Sequence, residues 1–333
     1  MKHISNFITL IISLSIVIGS DYVGYGSFVS NSNSARTIAL SYANTAWVND
    51  LESVYSNSAG LASMTGLRIN AGLSSKNSSF MKDLNYHSVS IGYGSKIRSI
   101  PEIFMAIGFG YQGFKVDDID EYDKFENYQS TFNFSETALN FLTALRVYSL
   151  SLGMKWTYYS QNFGSYGYVH SNKEDLQSKF YRPTELGMQY RITQNFMLGM
   201  VYDKSTQIGS YDISPARLKF GFAYKNNNFN YGLDYERQST DRGRIMTGLE
   251  FNKDIYNIPI SFRFGGRGNL IDDPSGWEIK NSLYFTTGMG IQLKVPNNRI
   301  INAININIAL NQSGYPNLLS PIFRMMYISL DII

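Results

Sequence analysis

Beyond residue 63, hydrophobic and polar positions alternate with a period of two, many times over. Leu150, Leu152, Met154, Trp156 and Tyr158 are interleaved with Ser151, Gly153, Lys155, Thr157 and Tyr159. Ile103, Met105, Ile107, Phe109 and Tyr111 oppose Phe104, Ala106, Gly108, Gly110 and Gln112 in the same way. The pattern returns in Leu218, Phe220, Phe222 and Tyr224, and again in Ile304, Ile306, Ile308 and Leu310. Successive side chains of a strand point to opposite faces, so each such stretch predicts a strand with one apolar face. A soluble sandwich has strands of this kind too.

Number and spacing separate the two cases. The alternation predicts fourteen strands, near 65–74, 86–96, 102–115, 130–147, 150–162, 183–192, 195–206, 215–225, 229–238, 244–253, 258–268, 283–295, 300–311 and 321–332. Most have the length of about ten residues that a tilted membrane strand requires. Long or medium connections fall at 75–85, 116–129, 163–182, 207–214, 239–243, 269–282 and 312–320. Short ones fall between them, at Ile97–Pro101, Ser149, Arg191–Gln194, Asn226–Asn228, Asp254–Asn257 and Pro296–Arg299. With both termini periplasmic, every long loop faces outward, the asymmetry of outer-membrane barrels. The expected fold class is therefore all-β, a transmembrane antiparallel β-barrel of about fourteen strands. Tyr93, Tyr111, Tyr158, Tyr202, Tyr224 and Tyr235 suit its interfacial aromatic girdles.

The first residues set the compartment. Lys2 and His3 precede an apolar stretch from Phe7 to Ile18 that ends in Gly19-Ser20. This is the form of an export signal over 1–20, with cleavage near Ser20 or Gly26. The expected location is the bacterial outer membrane, with its lipid as the first partner. Residues 27–62 do not alternate; their small residues and spaced apolar positions suggest short helices or turns. The expected division is signal 1–20, plug or hatch segment 21–62, and barrel 63–333.

Composition agrees. Of 333 residues, 44% are hydrophobic and 17% charged, against about 25% charged in average domains. The mean hydropathy is −0.19, as expected when opposite faces average out. No apolar run after residue 20 is long enough for a membrane helix. The absence of cysteine removes disulfides, thiolate metal sites and a lipidated N-terminal cysteine. A net charge of +3 is too small to suggest nucleic-acid binding.

Little in the chain suggests catalysis. The histidines are His3, His87 and His170. Ser88 follows His87 on the opposite face, so the two are badly placed for a Ser–His pair. The densest acidic run, Asp117-Asp118-Ile119-Asp120-Glu121-Tyr122-Asp123, has the oxygens that hard cations favour. It lacks the spacing of a known calcium loop and reads as a solvated outward loop. Asp272-Asp273-Pro274-Ser275-Gly276 reads as a turn. No enzyme activity, cofactor or metal is expected.

The inward face is more informative. Alternation assigns to it Arg68, Arg146, Lys155, Arg191, Arg217, Lys219, Arg244, Arg263, Arg267 and Lys294, with Asp234, Glu236 and Glu250 as the inward acids. Arg or Lys facing mid-bilayer would cost ~2–4 kcal/mol. One explanation is a filled lumen in which Asp50 and Glu52 of the N-terminal segment neutralise part of the wall. The other is a basic interior whose focused potential draws an anionic hydrophobic ligand toward Arg217, Lys219, Arg244, Arg263 and Arg267.

The N-terminal segment carries a resemblance. Ala35-Arg36-x-Ile38-Ala39-Leu40, then Asn49-Asp50, then Ser53-Val54-Tyr55-x-Asn57-x-Ala59-Gly60-Leu61-Ala62 resembles the N-terminal signature of PorV/PorQ-type proteins, within the FadL-like outer-membrane barrels. Ser135-Glu136-Thr137-Ala138-Leu139 and the Gly288-x-Gly290 strand extend it. The resemblance implies a fourteen-stranded barrel with an N-terminal plug, and marks Arg36, Asp50, Asn57, Ala59 and Gly60 as motif residues. Two departures stand out: Ser58 replaces a usual Pro, and Ser41-Tyr42 a usual Gly pair. The PorV/PorQ side implies a scaffold or accessory component in type IX protein export or surface attachment, with secretion machinery or cargo as partners. The FadL side implies, as the alternative, passive transport of hydrophobic or amphipathic molecules such as long-chain fatty acids; the signature lies nearer the PorV/PorQ side and the outer loops are polar, so the scaffold is the expected function.

Overall fold

The computed structural model describes residues 34–76, 84–97, 100–122, 125, 127–162, 176–177, 184–204, 206–208, 211–214, 216–239, 242–273, 276–278, 283–295, 303–313 and 323–332. The predicted signal over 1–20, His170, and the turn at Pro296–Arg299 lie outside these residues.

Fourteen of the described strands form the wall: β1 (Gly66–Lys76), β2 (Leu84–Ile97), β3 (Ile100–Tyr122), β4 (Tyr128–Val147), β5 (Leu150–Asn162), β6 (Glu185–Arg191), β7 (Phe196–Asp203), β8 (Arg217–Lys225), β9 (Phe229–Gln238), β10 (Arg242–Ile255), β11 (Ile258–Asp273), β12 (Leu283–Lys294), β13 (Ala303–Ser313) and β14 (Phe323–Ile332). Each pairs antiparallel with the strand before and after it, and β14 pairs with β1, Ile69 opposite Ile332 and Ser75 opposite Met326. The ladder thus returns to its start, which removes the open edges of a sheet within the wall.

The alternation predicted from sequence fixes which face is which. Val89, Phe109, Leu139 and Phe264 are each half exposed, whereas Ser88, Gly110 and Ala138 next to the first three are buried. A continuous exposed band of Leu, Ile, Phe and Met outside, with small and polar residues inside, is the inverse of a soluble core.

Several predicted loops are partly strand, the loop at 163–182 among them, where Leu176–Gln177 pairs with β5. The loop expected at 116–129 is taken up by β3 and β4, which run on to Tyr122 and back from Tyr128. Residues 207–214 contain a small hairpin, Thr206–Ile208 with Tyr211–Ser214. In the turn expected at 272–276, β11 reaches Asp273 and pairs with Gly276–Glu278. At the opposite end the turns are tight, Tyr148 and the pair Tyr256-Asn257 adopting left-handed backbone. Alternation stops being informative where strands leave the bilayer, because neither face then has to be apolar.

Candidate functional site: a plug held by a charged wall

Residues 34–64 fill the ring. Ser34 caps a one-turn helix, α1 (Ala35–Ala39), accepting from Thr37 N–H at 3.4 Å. Two 3₁₀ turns follow, Leu51–Val54 and Ser58–Ser63, each begun by a motif residue. Asp50 accepts from Glu52 N–H at 3.0 Å, and Asn57 accepts from Ala59 N–H at 3.1 Å. Asn57 also donates to the carbonyls of Thr45, at 2.8 Å, and wall residue Met188, at 3.1 Å. A Cβ on Gly60 would strike the Val48 carbonyl. The motif residues thus shape the plug, and only Arg36 among them reaches out to a wall charge.

The wall receives the plug on glycine. Gly92 pairs across strands with Gly108, Gly153 with Gly187, Gly199 with Gly221, and Gly248 with both Gly232 and Gly265. At Gly199 a Cβ would lie 2.6 Å from Ala46 Cα, and at Gly153 it would meet the backbone of Ser58 and Ala59. Backbone therefore rests on backbone. Hydrogen bonds reinforce this fit. Gln189 donates to the carbonyls of Thr45 and Val48 at 3.1 and 3.0 Å, Thr286 donates to Ala39 O at 2.9 Å, and Thr45 N–H donates to Asp234 at 3.0 Å.

Both family departures have a visible consequence. Ser41 and Tyr42 have φ of 49° and 68°, the left-handed region where glycine is preferred. They close α1 through bonds to Ile38 O, at 2.8 Å, and Thr37 O, at 2.9 Å. Ser58 offers an N–H that proline lacks, and donates it to Glu185 at 2.8 Å.

The predicted basic residues are inward but not alone. On one side, Arg36 Nε lies 2.9 Å from Glu250, which Arg263 also contacts at 2.6 Å. Arg36 further meets Asp50 at 3.0 Å and Glu52 at 4.0 Å, and lies over the Trp47 ring. Burial alone would lower the Arg36 pKa; the carboxylates of Glu250, Asp50 and Glu52 outweigh it and hold the pKa well above its usual value. Toward the long-loop ends of the same stretch of wall, Arg217 pairs with Asp203 and, at 3.7 Å, with Glu236. Lys219 pairs with Asp234 at 3.2 Å and donates to Tyr42 O at 2.6 Å. Arg244 pairs with Glu236 at 3.5 Å, and Arg267 lies 5.8 Å from the Tyr42 ring centroid.

Arg217, Lys219, Glu236, Arg244, Met246 and Arg267 surround a small cavity roofed by Tyr42, Tyr55 and Ser56 of the plug. It admits the centre of a water molecule over about 20 Å³, room for about one ordered water. Arg263 belongs to the Glu250 cluster instead.

The inward acids number more than the three expected. Glu136 bonds Tyr159, Glu185 pairs with Lys155, and Asp203 pairs with Arg217. All three share the parity of the inward face but lie toward the long-loop ends of their strands, where the alternation is weakest. The expected basic excess shrinks accordingly. Arg191 and Lys294, also expected inward, stand exposed at strand ends near the short turns. His87 stays apart from these clusters, its Nε2 3.1 Å from the Tyr111 hydroxyl.

The closed fourteen-stranded wall and its inserted N-terminal segment define the class: a membrane β-barrel of the outer-membrane kind. No family model matches the chain, and no curated protein matches it. Solved structures do. The chain is similar to CymD, a monoaromatic hydrocarbon channel (13% identity, TM-score 0.57, covering 94% of this chain and 97% of that one). It is similar to the Ralstonia pickettii toluene transporter TbuX (12%, 0.57, 90% and 96%) and to a Pseudomonas aeruginosa FadL homologue (9%, 0.52, 94% and 99%). At such identities the likeness is one of fold: the chain has the FadL-like barrel fold. The first two of these neighbours are described as a channel and a transporter.

Proposed function

We propose that the chain is a passive outer-membrane channel for small hydrophobic or amphipathic molecules. The observation that carries this reading is the likeness to hydrocarbon channels and transporters over at least nine-tenths of the chain. The cavity under Tyr42 and Tyr55 refines it. Four cations line that space, and Asp203, Asp234 and Glu236 pair with three of them; the small positive excess that remains suits an anionic head better than a neutral hydrocarbon. The narrower PorV/PorQ scaffold reading rests on the N-terminal motif. One structural observation favours it: the plug's backbone is seated on glycines of β2 and of β5 to β11, as suits a lumen that stays shut.

One experiment separates them. Purified protein in liposomes is assayed for entry of toluene and of a long-chain fatty acid, and the same protein is extracted mildly for identification of co-purifying chains. Entry of either molecule above the rate of empty liposomes supports the channel. Entry of neither, with stoichiometric export proteins in the mild extract, supports the scaffold and ends the channel reading.

A further inference from the structure

The short-turn end of the wall carries a cationic arc. Arg146, Arg191 and Lys225 stand at the ends of β4, β6 and β8 there. Two places before them in each strand, Ala144, Gln189 and Ala223 are buried against the plug. The period of two gives the cations the same inward face, toward the mouth of the barrel and away from lipid. Register fixes their spacing. Arg146 aligns through Ser151 with Gln189, and Arg191 through Met197 with Ala223. Each cation thus lies two strands over and two residues further on than the one before, about 12 Å away at ~4.8 Å per strand and ~3.3 Å per residue. That repeated offset follows the tilt of barrel strands, so the three sit at one level of the rim.

The arc lacks counterions. Arg191 is close enough to Arg146 and to Lys225 to act on both electrostatically. Arg146 is held over the Phe104 ring, 3.8 Å from its centroid, and donates to Ser63 of the plug at 3.4 Å. Among the described residues, none of the three forms an ion pair with a carboxylate. Asp50 and Glu250, which act on Lys225, are held by Arg36. Glu102 and Asp254 stand exposed beside the arc, on β3 and β10. On the long-loop side of the plug, by contrast, Arg217, Lys219 and Arg244 each have a wall acid.

Unpaired like charges fixed at one level attract anions of matching spacing. The arc spans about 24 Å along the rim, more than one small carboxylate covers. Anionic lipid lies against the other face of the wall. An extended chain with an acid at every fourth position presents carboxylates on one face at a repeat of about 13 Å. Tyr148 and Ile192, exposed in the turns beside Arg146 and Arg191, offer such a chain apolar contact as well.

We propose that this arc is a docking surface for an extended acidic segment of a partner protein, on the side that the outer-membrane reading places in the periplasm. It serves this purpose whether or not the lumen conducts.

The test uses full-length protein in phosphatidylcholine nanodiscs, titrated with a synthetic peptide bearing Glu at every fourth position and followed by amide hydrogen exchange. The expected result is saturable binding, with exchange slowed at 148–149, 191–195 or 226–228. Affinity should fall about tenfold or more in high salt and in R191Q/K225Q. An isomer of the peptide with its Glu residues adjacent keeps the charge and loses the spacing, and should bind several-fold more weakly. The isomer leaves the protein untouched, so its result does not depend on the variant's folding. Absence of binding, or protection confined to the long-loop end, overturns the proposal. Equal binding of the isomer, or of an oligonucleotide of the same charge, overturns it too, as does equal affinity of a folded R191Q/K225Q barrel.

Discussion

Arg36 in the plug and Glu250 in wall strand β10 lie 214 positions apart, joined by two hydrogen bonds: Nε to Oε2 at 2.9 Å and Nη2 to Oε1 at 3.3 Å. Such forked pairing is stronger and more directional than a single contact. The same carboxylate receives Arg263 at 2.6 Å and Asn230 Nδ2 at 2.9 Å, so plug and wall share one anion.

Replacing Glu250 by Gln would leave two buried guanidiniums facing a neutral amide. Removing one partner of a buried ion pair costs about 3–5 kcal/mol. The unfolding midpoint of E250Q in detergent should fall accordingly, followed by tryptophan fluorescence. The R36Q/E250Q pair should lose less than the two single variants summed, by at least ~0.5 kcal/mol. Strict additivity would mean that plug and wall are not coupled here.

Ser58 gives a second handle on the plug. It follows the capping residue Asn57, the first helical position, where proline is geometrically welcome. Ser58→Pro should therefore keep the backbone path and lose only the N–H that Glu185 accepts. The expected cost is about 1–3 kcal/mol. It should shrink in an E185Q background, where the acceptor is no longer charged. An equal cost in both backgrounds would point to backbone strain instead.

The wall was legible in the sequence because a period of two is a local signal; the plug's attachment was not. Alternation through Leu150–Tyr158 and Ile103–Tyr111 reveals strands, their number and their lipid face. It says nothing of which inward cation meets which acid, because Arg36–Glu250 and Lys219–Tyr42 are created by closure of the ring. Nor does it reveal what the strand glycines are for. Gly153 and Gly199 read as the polar half of an alternation, and their role appears only with the plug against them. The extension of β3 beyond Lys115 was missed for the opposite reason: outside the bilayer, Asp117 to Glu121 has no apolar face to betray a strand.

Glycines that touch the plug and glycines that do not should behave differently. A Cβ at Gly199 would fall 2.5 Å from Thr45 O, whereas at Gly266 the nearest atom is Thr247 Cγ2 at 3.5 Å. Gly199→Val should destabilise by several kcal/mol, about 3 or more, or stop folding altogether. Gly266→Ala should stay within about 0.5 kcal/mol of the parent. Heat-dependent gel mobility of the folded barrel reads both. Equal loss in the two variants would mean that the plug does not rest on the wall as described.

Tyr256 tests the short-turn side. It is 94% exposed and, with φ of 51° beside Asn257 at 62°, occupies a turn suited to Asn or Gly. Tyr256→Asn gives up little packing and relieves left-handed strain, so a gain of about 1 kcal/mol is expected in detergent. A loss of stability in detergent would show that the tyrosine ring has a partner that outweighs the turn.

The cavity under Tyr42 gives the sharpest functional prediction. Arg244 and Arg267 line it, and Arg244 shares Glu236 with Arg217. The space holds about one water, so a carboxylate head enters only if Tyr42 and Tyr55 of the plug shift aside; each arginine would then supply a charge-assisted hydrogen bond of about 1.5–3 kcal/mol. R244Q and R267Q should therefore lower uptake or binding of a long-chain carboxylate by about tenfold or more. Entry of toluene, which has no charge to meet, should be unchanged in the same proteoliposomes. A structural role alone would depress both molecules together, in step with loss of folded barrel on the gel. Equal carboxylate uptake by parent and variants, with folding intact, would remove these arginines from the ligand's path.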